Sequence, residues 1–136
     1  MRILVFASGR GSNFEALLDA SSRGVLKSKI VGLVCDRDCN AIEIAKKNKI
    51  PFSILRPKDY AEKNNYIKEL ISITGSYSPD IILLAGYMRI IPSELLDEYP
   101  LKIINIHPSL LPLFKGKDAI KQAWDAGVKE TGVTVH

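Results

Sequence analysis

The sequence predicts an α/β domain built on a doubly wound, mostly parallel sheet, and three observations carry that prediction. Short apolar, β-branched runs alternate with helical-period segments along all 136 residues, the pattern of strand–helix–strand units joined by right-handed crossovers. A glycine-bearing turn, Ser8-Gly9-Arg10-Gly11-Ser12-Asn13, falls between the first strand and the first helix. The segment Asn105-Ile106-His107-Pro108-Ser109-Leu110-Leu111-Pro112 follows the apolar pair Ile103-Ile104, at a strand's carboxyl end, where open α/β sheets hold ligands.

Taken in order, residues 3–7 form a compact apolar strand, buried on both faces if the sheet is parallel. Phe14, Leu17 and Leu18 then recur at helical spacing. Residues 29–36 read as the second strand, and 41–49 as a helix stopped by Pro51, with Lys46, Lys47 and Lys49 complementing the dipole at its end. A short strand at 52–55 precedes an amphipathic helix predicted over 59–72, with Tyr66 and Leu70 on its stripe and Gly75 beyond its end. Residues 80–85 are an unbroken apolar strand. Pro92 starts a helix through Tyr99, Asp118 is placed to cap one through Ala126, and residues 131–136 begin a last strand. No internal repeat or low-complexity segment interrupts this order, so residues 1–136 read as a single domain.

Composition narrows the function classes. Hydrophobic residues make up 46% and charged residues 25% of the chain, an ordinary globular balance that argues against disorder. The net charge of +4 is spread among acids without a basic stripe or interleaved aromatics, which disfavours nucleic acid; a small anionic substrate suits the mild surplus. Cys35 and Cys39 are spaced C-x-x-x-C, neither a redox pair nor half a zinc site, and read as free thiols of a reducing cytoplasm. No run suits a signal peptide or a membrane span, so a cytoplasmic location, with no membrane partner and no metal, is expected.

Two stretches carry chemistry. Gly9 and Gly11 open backbone conformations closed to other residues and let main-chain N–H groups approach a phosphate, while Ser12 or Asn13 can cap the helix or donate to the anion. The same stretch begins a dinucleotide fingerprint, with Asp36 where a ribose-binding acid belongs. Phe14, however, replaces the third glycine and is expected to hinder close helix-to-strand packing, which favours a single phosphate. Asn105 and His107, two residues apart on a strand, point to one face; an amide and an imidazole aimed together suit acyl chemistry. Met88, Ile90 and Ile91, after Gly86, suit either core packing or the apolar wall of a flat-ring pocket. Lys63 is by default a solvated helix residue.

The three pieces Ser8-Gly9-Arg10-Gly11-Ser12-Asn13, Gly86-Tyr87-Met88-Arg89-Ile90-Ile91 and Asn105-Ile106-His107-Pro108-Ser109-Leu110-Leu111-Pro112 together resemble the phosphoribosylglycinamide formyltransferases. Thr131-Gly132-Val133-Thr134-Val135-His136 continues the match. The resemblance implies a Rossmann-like formyltransferase fold and transfer of a formyl group from 10-formyltetrahydrofolate, as co-substrate, to the amine of glycinamide ribonucleotide in purine biosynthesis. It implies that Gly11, Ser12 and Asn13 hold the ribonucleotide phosphate, and that Lys63, Met88, Arg89, Ile90, Ile91 and Asn105 serve the folate. His107 and Asn105 are then catalytic, and Gly86 and Pro108 lie beside the substrates. Lys63 stands where the family often has Arg, which keeps a cation but loses a bidentate fork. The family's catalytic Asp segment comes after the strand that ends at His136, so the chain is expected to lack the C-terminal portion of the fold. A monomer or homodimer is expected.

Two rival readings remain. Other formyl-folate enzymes, acting on methionyl-tRNA or hydrolysing the formyl group, resemble the Asn-x-His and Ser-Leu-Leu-Pro pattern but are disfavoured by the phosphate loop. A non-catalytic nucleotide-binding module keeps the loop and makes His107 structural.

Overall fold

The computed structural model describes residues 1–136 and divides into two compact units, Met1–Ile103 and Ile104–His136. The first is a parallel sheet of four strands in the order β3-β2-β1-β4, with β1 at Arg2–Ala7, β2 at Lys29–Cys35, β3 at Phe52–Ile54 and β4 at Ile81–Leu84. β1, flanked on both sides, is apolar and buried from Ile3 to Ala7 because neither of its faces meets water there. Ile3, Val5 and Ala7 enter one core layer and Leu4 and Phe6 the other, as the two-residue period of a strand requires.

Helices fill both layers. α1 (Ser12–Ser22) and α2 (Asn40–Lys47) bring Phe14, Ala41, Ile42 and Ala45 to the first; α3 (Lys63–Ser76) and α4 (Ser93–Glu98) bring Tyr66, Ile67, Leu70 and Leu95 to the second. Phe14 does not hinder this packing. It is the only buried residue of α1 and is fully covered, so its ring fills the gap between helix and sheet and anchors α1.

α3 starts later and ends later than its hydrophobic stripe suggests. Pro57–Asp59 forms a separate 3-10 turn, as the fixed φ of proline allows. Gly75 lies inside the last turn rather than beyond it, because the buried Thr74 Oγ1 donates to the Leu70 carbonyl and the helix continues past it. Lys46 and Lys47 occupy the last turn of α2 as expected.

β2 skips a residue against β1: Ile3 pairs with Ile30 but Leu4 with Gly32, leaving Val31 as a bulge. Beside that bulge the Tyr77 ring lies against Gly32 and its hydroxyl meets Ser53 Oγ at 2.7 Å. A Cβ on Gly32 would fall 2.3 Å from Tyr77 Cε1. Gly32→Ala is therefore expected to destabilise the protein by about 1–3 kcal/mol through overpacking, read as a lower urea midpoint at unchanged slope; an unchanged midpoint would reject this packing role. Cys35 and Cys39 are free thiols, their sulfurs 3.6 Å apart. Burial, then the neighbouring Cys39, pushes the Cys35 thiol far above its ordinary range, which makes it a poor nucleophile.

The second unit holds most of β5 (Ile103–His107), α5 (Ala119–Asp125) and β6 (Thr134–Val135). β6 runs antiparallel to β5, with His107 opposite Thr134. Asp118 stands at the start of α5 but makes no side-chain cap; its backbone is left-handed, at φ 56°. No helix in the structure is long and apolar enough to cross a membrane.

Candidate active site

The glycine turn is cornered rather than loose. Gly11 is the residue before α1, at φ +79°, and a Cβ there would lie 2.9 Å from both Ala41 Cα and Ile44 Cδ1. Glycine is required on two counts, conformation and room. The start of α2 pins the loop from behind: the Ala41 N–H donates to Gly9 O, and the Asn40 amide to Arg10 O at 2.8 Å. Ser12 and Asn13, expected as possible caps, are instead the first helical residues, both exposed, and no side chain caps α1. Its first N–H groups thus keep their capacity for an external acceptor.

Asp36 is committed elsewhere than to a ribose. Its side chain is fully buried, and it accepts hydrogen bonds from Arg37 Nη2 at 2.8 Å and from Arg89 Nε at 3.1 Å. Burial by itself raises its carboxyl pKa. Hydrogen bonds from Arg37 and Ser8, the charge of Arg37 and the bond from Arg89 outweigh that and hold it below the ordinary carboxylate range. Ser8 Oγ, donor to Asp36, accepts from the Met88 N–H at 2.8 Å. The Ser8 N–H in turn donates to Gly86 O, where Gly86 turns the chain at φ +73°. One buried carboxylate thereby ties the glycine loop to the loop after β4, a role that no local sequence signal announces.

That second loop borders a cavity of about 460 Å³ lined by Lys63, Tyr66, Met88, Arg89, Ile90 and neighbouring residues. Met88 and Ile90 are 69% and 95% exposed, so they are not core residues; Ile91 instead packs against the layer holding Leu4 and Phe6. Of the residues expected on one ligand-binding wall, the structure brings Lys63, Met88, Arg89 and Ile90 together and turns Ile91 inward. Tyr66, which the sequence reading leaves on the helix stripe, also lines that cavity, and its hydroxyl lies 3.3 Å from that of Tyr87, which packs against the core; burial, then the Tyr66 hydroxyl, keeps Tyr87 protonated far beyond its usual range.

In the second unit Asn105 and His107 line one cavity of about 520 Å³, with Leu111, Pro112, Lys115 and His136 also on its wall. The two-residue spacing does place both side chains on one face. His107 Nε2 lies 2.9 Å from the Phe114 carbonyl. A carbonyl only accepts, so Nε2 carries a hydrogen and Nδ1 is the atom at which a proton can come and go. Asn105 Nδ2 lies 3.2 Å from His136 Nε2. Pro108 is exposed in the loop that follows.

Three side chains hold that loop. Ser109, fully buried, donates from Oγ to Leu113 O at 2.6 Å. Thr134 Oγ1 donates to Ser109 O and accepts from the Leu111 N–H. Gln122 Nε2 donates to the carbonyls of Lys115 and Lys117. Ser109 and Thr134 lie inside stretches that carry the resemblance, though neither is singled out there, whereas Gln122 carries no local signal.

A parallel sheet with a glycine-bearing turn between its first strand and first helix defines an α/β domain of the Rossmann-like class. The profile described as formyl transferase matches residues 1–136, and the chain belongs to that family. It is 45% identical over 136 residues to the phosphoribosylglycinamide formyltransferase of Bacillus subtilis, covering 99% of this chain and 70% of that protein. The Mycobacterium tuberculosis protein of the same name is 36% identical, with 99% and 62% covered. Glycinamide ribonucleotide transformylase 1 of Geobacillus kaustophilus superposes at a TM-score of 0.95 and 51% identity, over 99% of this chain and 72% of that one. The fold is accordingly the Rossmann-like, mostly parallel formyltransferase fold.

Proposed function

We propose that the protein transfers the formyl group of 10-formyltetrahydrofolate to the amine of glycinamide ribonucleotide. The observation that carries this reading is the Asn105/His107 pair on one cavity wall, with the imidazole tautomer fixed by the Phe114 carbonyl. As the substrate amine adds to the formyl carbon, negative charge develops on the formyl oxygen. Asn105 offers it an amide N–H and protonated His107 stabilises it; as the bond from the formyl carbon to the folate nitrogen breaks, the Nδ1 proton passes to that departing nitrogen, and the proton shed by the attacking amine returns to Nδ1. No covalent enzyme intermediate is needed.

The remaining assignments follow the same division. Gly11, Ser12 and Asn13 bind the phosphate through the uncapped start of α1, and Lys63, Met88, Arg89 and Ile90 bind the folate. Ile91 supports that wall from the core side, and Gly86 and Pro108 shape the turns beside the substrates. A dinucleotide reading is less well supported because Asp36, its ribose-binding acid, is already saturated by two guanidinium groups and Ser8.

The substrate test follows directly. Glycinamide ribonucleotide at a hundredfold excess over its Kd should stabilise the fold by about 2.7 kcal/mol, raising the melting temperature, while NAD at equal concentration should not. Protection by NAD and none by the ribonucleotide would reject the enzyme reading.

A further inference from the structure

His107 takes its bearing from a carbonyl that the chain presents in an uncommon conformation. The Phe114 oxygen lies 2.9 Å from His107 Nε2, and Phe114 is left-handed at φ 52°, as are Gly116 at φ 77° and Asp118 at φ 56°. Non-glycine residues keep such conformations only where neighbouring contacts hold them. Before Phe114 the hold comes from Ser109, whose Oγ fixes the Leu113 carbonyl. After it the hold comes from Gln122, half-buried on α5, whose Nε2 donates to the Lys115 carbonyl at 3.0 Å and to the Lys117 carbonyl at 2.7 Å. Both neighbours only accept, so the amide nitrogen is the atom that faces them, and its two hydrogens are both used. The buried Ala119 and Ala123 anchor the same helix, so the amide reaches the loop from a fixed element.

We propose that Gln122 is a positioning residue for formyl transfer. Its amide clamps the loop on either side of Gly116, which keeps the Phe114 carbonyl on His107 Nε2 and leaves Nδ1 as the atom that exchanges a proton with the reactants. Gln122 is not on the wall of the Asn105/His107 cavity, so it acts through the backbone of residues 114–117 and touches no reacting atom. The proposal rests on the reading of His107 as the proton donor. Without the clamp, the Lys115 and Lys117 carbonyls turn to water, the left-handed residues relax and the Phe114 oxygen withdraws. The ring is then free to turn, and either nitrogen can carry the hydrogen of the neutral form.

Three substitutions in the full chain separate the donors of this side chain from its shape. Gln122→Met keeps the length without donors, Gln122→Glu keeps the shape but once ionised offers only acceptors, and Gln122→Lys restores a donor. Gln122→Met and Gln122→Glu should each lower the single-turnover rate of formyl transfer by about 10- to 100-fold. The Kd for glycinamide ribonucleotide should stay unchanged, which also shows that the variants are folded. The second readout is nitrogen-15 NMR of the neutral histidine rings. The chain has two histidines, so the spectrum of His107→Ala assigns the signals of His107. They should show one tautomer, with its hydrogen on Nε2, in the unaltered protein and a mixture in Gln122→Met. Gln122→Lys should recover both the single tautomer and most of the rate. A single tautomer in Gln122→Met, or a Gln122→Lys protein as slow as Gln122→Met, overturns the positioning role and leaves the formyl-transfer reading intact. A mixed tautomer at an unchanged rate rejects His107 as the proton donor, and the proposal with it.

Discussion

His107→Ala is expected to lower kcat for formyl transfer by about two to three orders of magnitude while leaving the Kd for glycinamide ribonucleotide unchanged. The two effects separate because the phosphate contacts are assigned to the start of α1, whereas His107 acts on the formyl oxygen and the leaving nitrogen. The alanine removes the donor together with its bond to the Phe114 carbonyl, which belongs to a half-buried loop residue where water can replace the lost partner. Folding should therefore be little affected. Single-turnover rates beside equilibrium titration give the answer; a rate within tenfold of the unaltered protein would remove His107 from the chemistry. Asn105→Ala should give a smaller loss in the same direction, since it deletes one of two donors to the same oxygen.

Asp36→Asn should destabilise the fold by about 1–3 kcal/mol near neutral pH. A buried carboxylate that accepts from two guanidiniums and a serine hydroxyl is replaced by an amide that turns donor hydrogens towards donors. The loss is moderated because Arg37 and Arg89 are about half exposed and can turn to water. The pH dependence has a definite sign. Since the folded carboxyl is held below its ordinary value of 3.8, its stabilisation is present above that value and disappears as pH falls through the folded pKa. The stability gap between the two proteins should thus be widest near neutrality and narrow below about pH 4. A gap that stays constant into strong acid would show that the carboxylate's charge contributes nothing. The ribonucleotide Kd should also weaken, because Ser8 and the Met88 N–H lose the group that aligns them.

The short-range features of this chain were legible because their causes are short-range. β1 and β2 are continuous apolar runs that only a strand covered on both faces accommodates, and a two-residue period alone sets Asn105 and His107 on a common wall. The left-handed turn at Gly11 could be anticipated from a glycine between a strand and a helix. The boundaries of α3 were less legible: a proline-led turn and a buried threonine back-bond competed with the hydrophobic stripe. The inward turn of Ile91 was equally hidden, since one residue along an irregular loop reverses which side faces the core.

The sequence by itself determined the alternation of strands and helices, the place of the glycine turn and the pairing of an amide with an imidazole at a strand end, all fixed by periodicities within a few residues. Tertiary structure alone decided which groups are taken and which are free. Asp36 meets Arg89 across 53 positions of sequence, and Thr134 reaches back 25 positions to hold the loop after His107. Such contacts depend on where the fold sends distant segments, and it is they that convert a buried acid into a brace and an ordinary threonine into a support for the histidine.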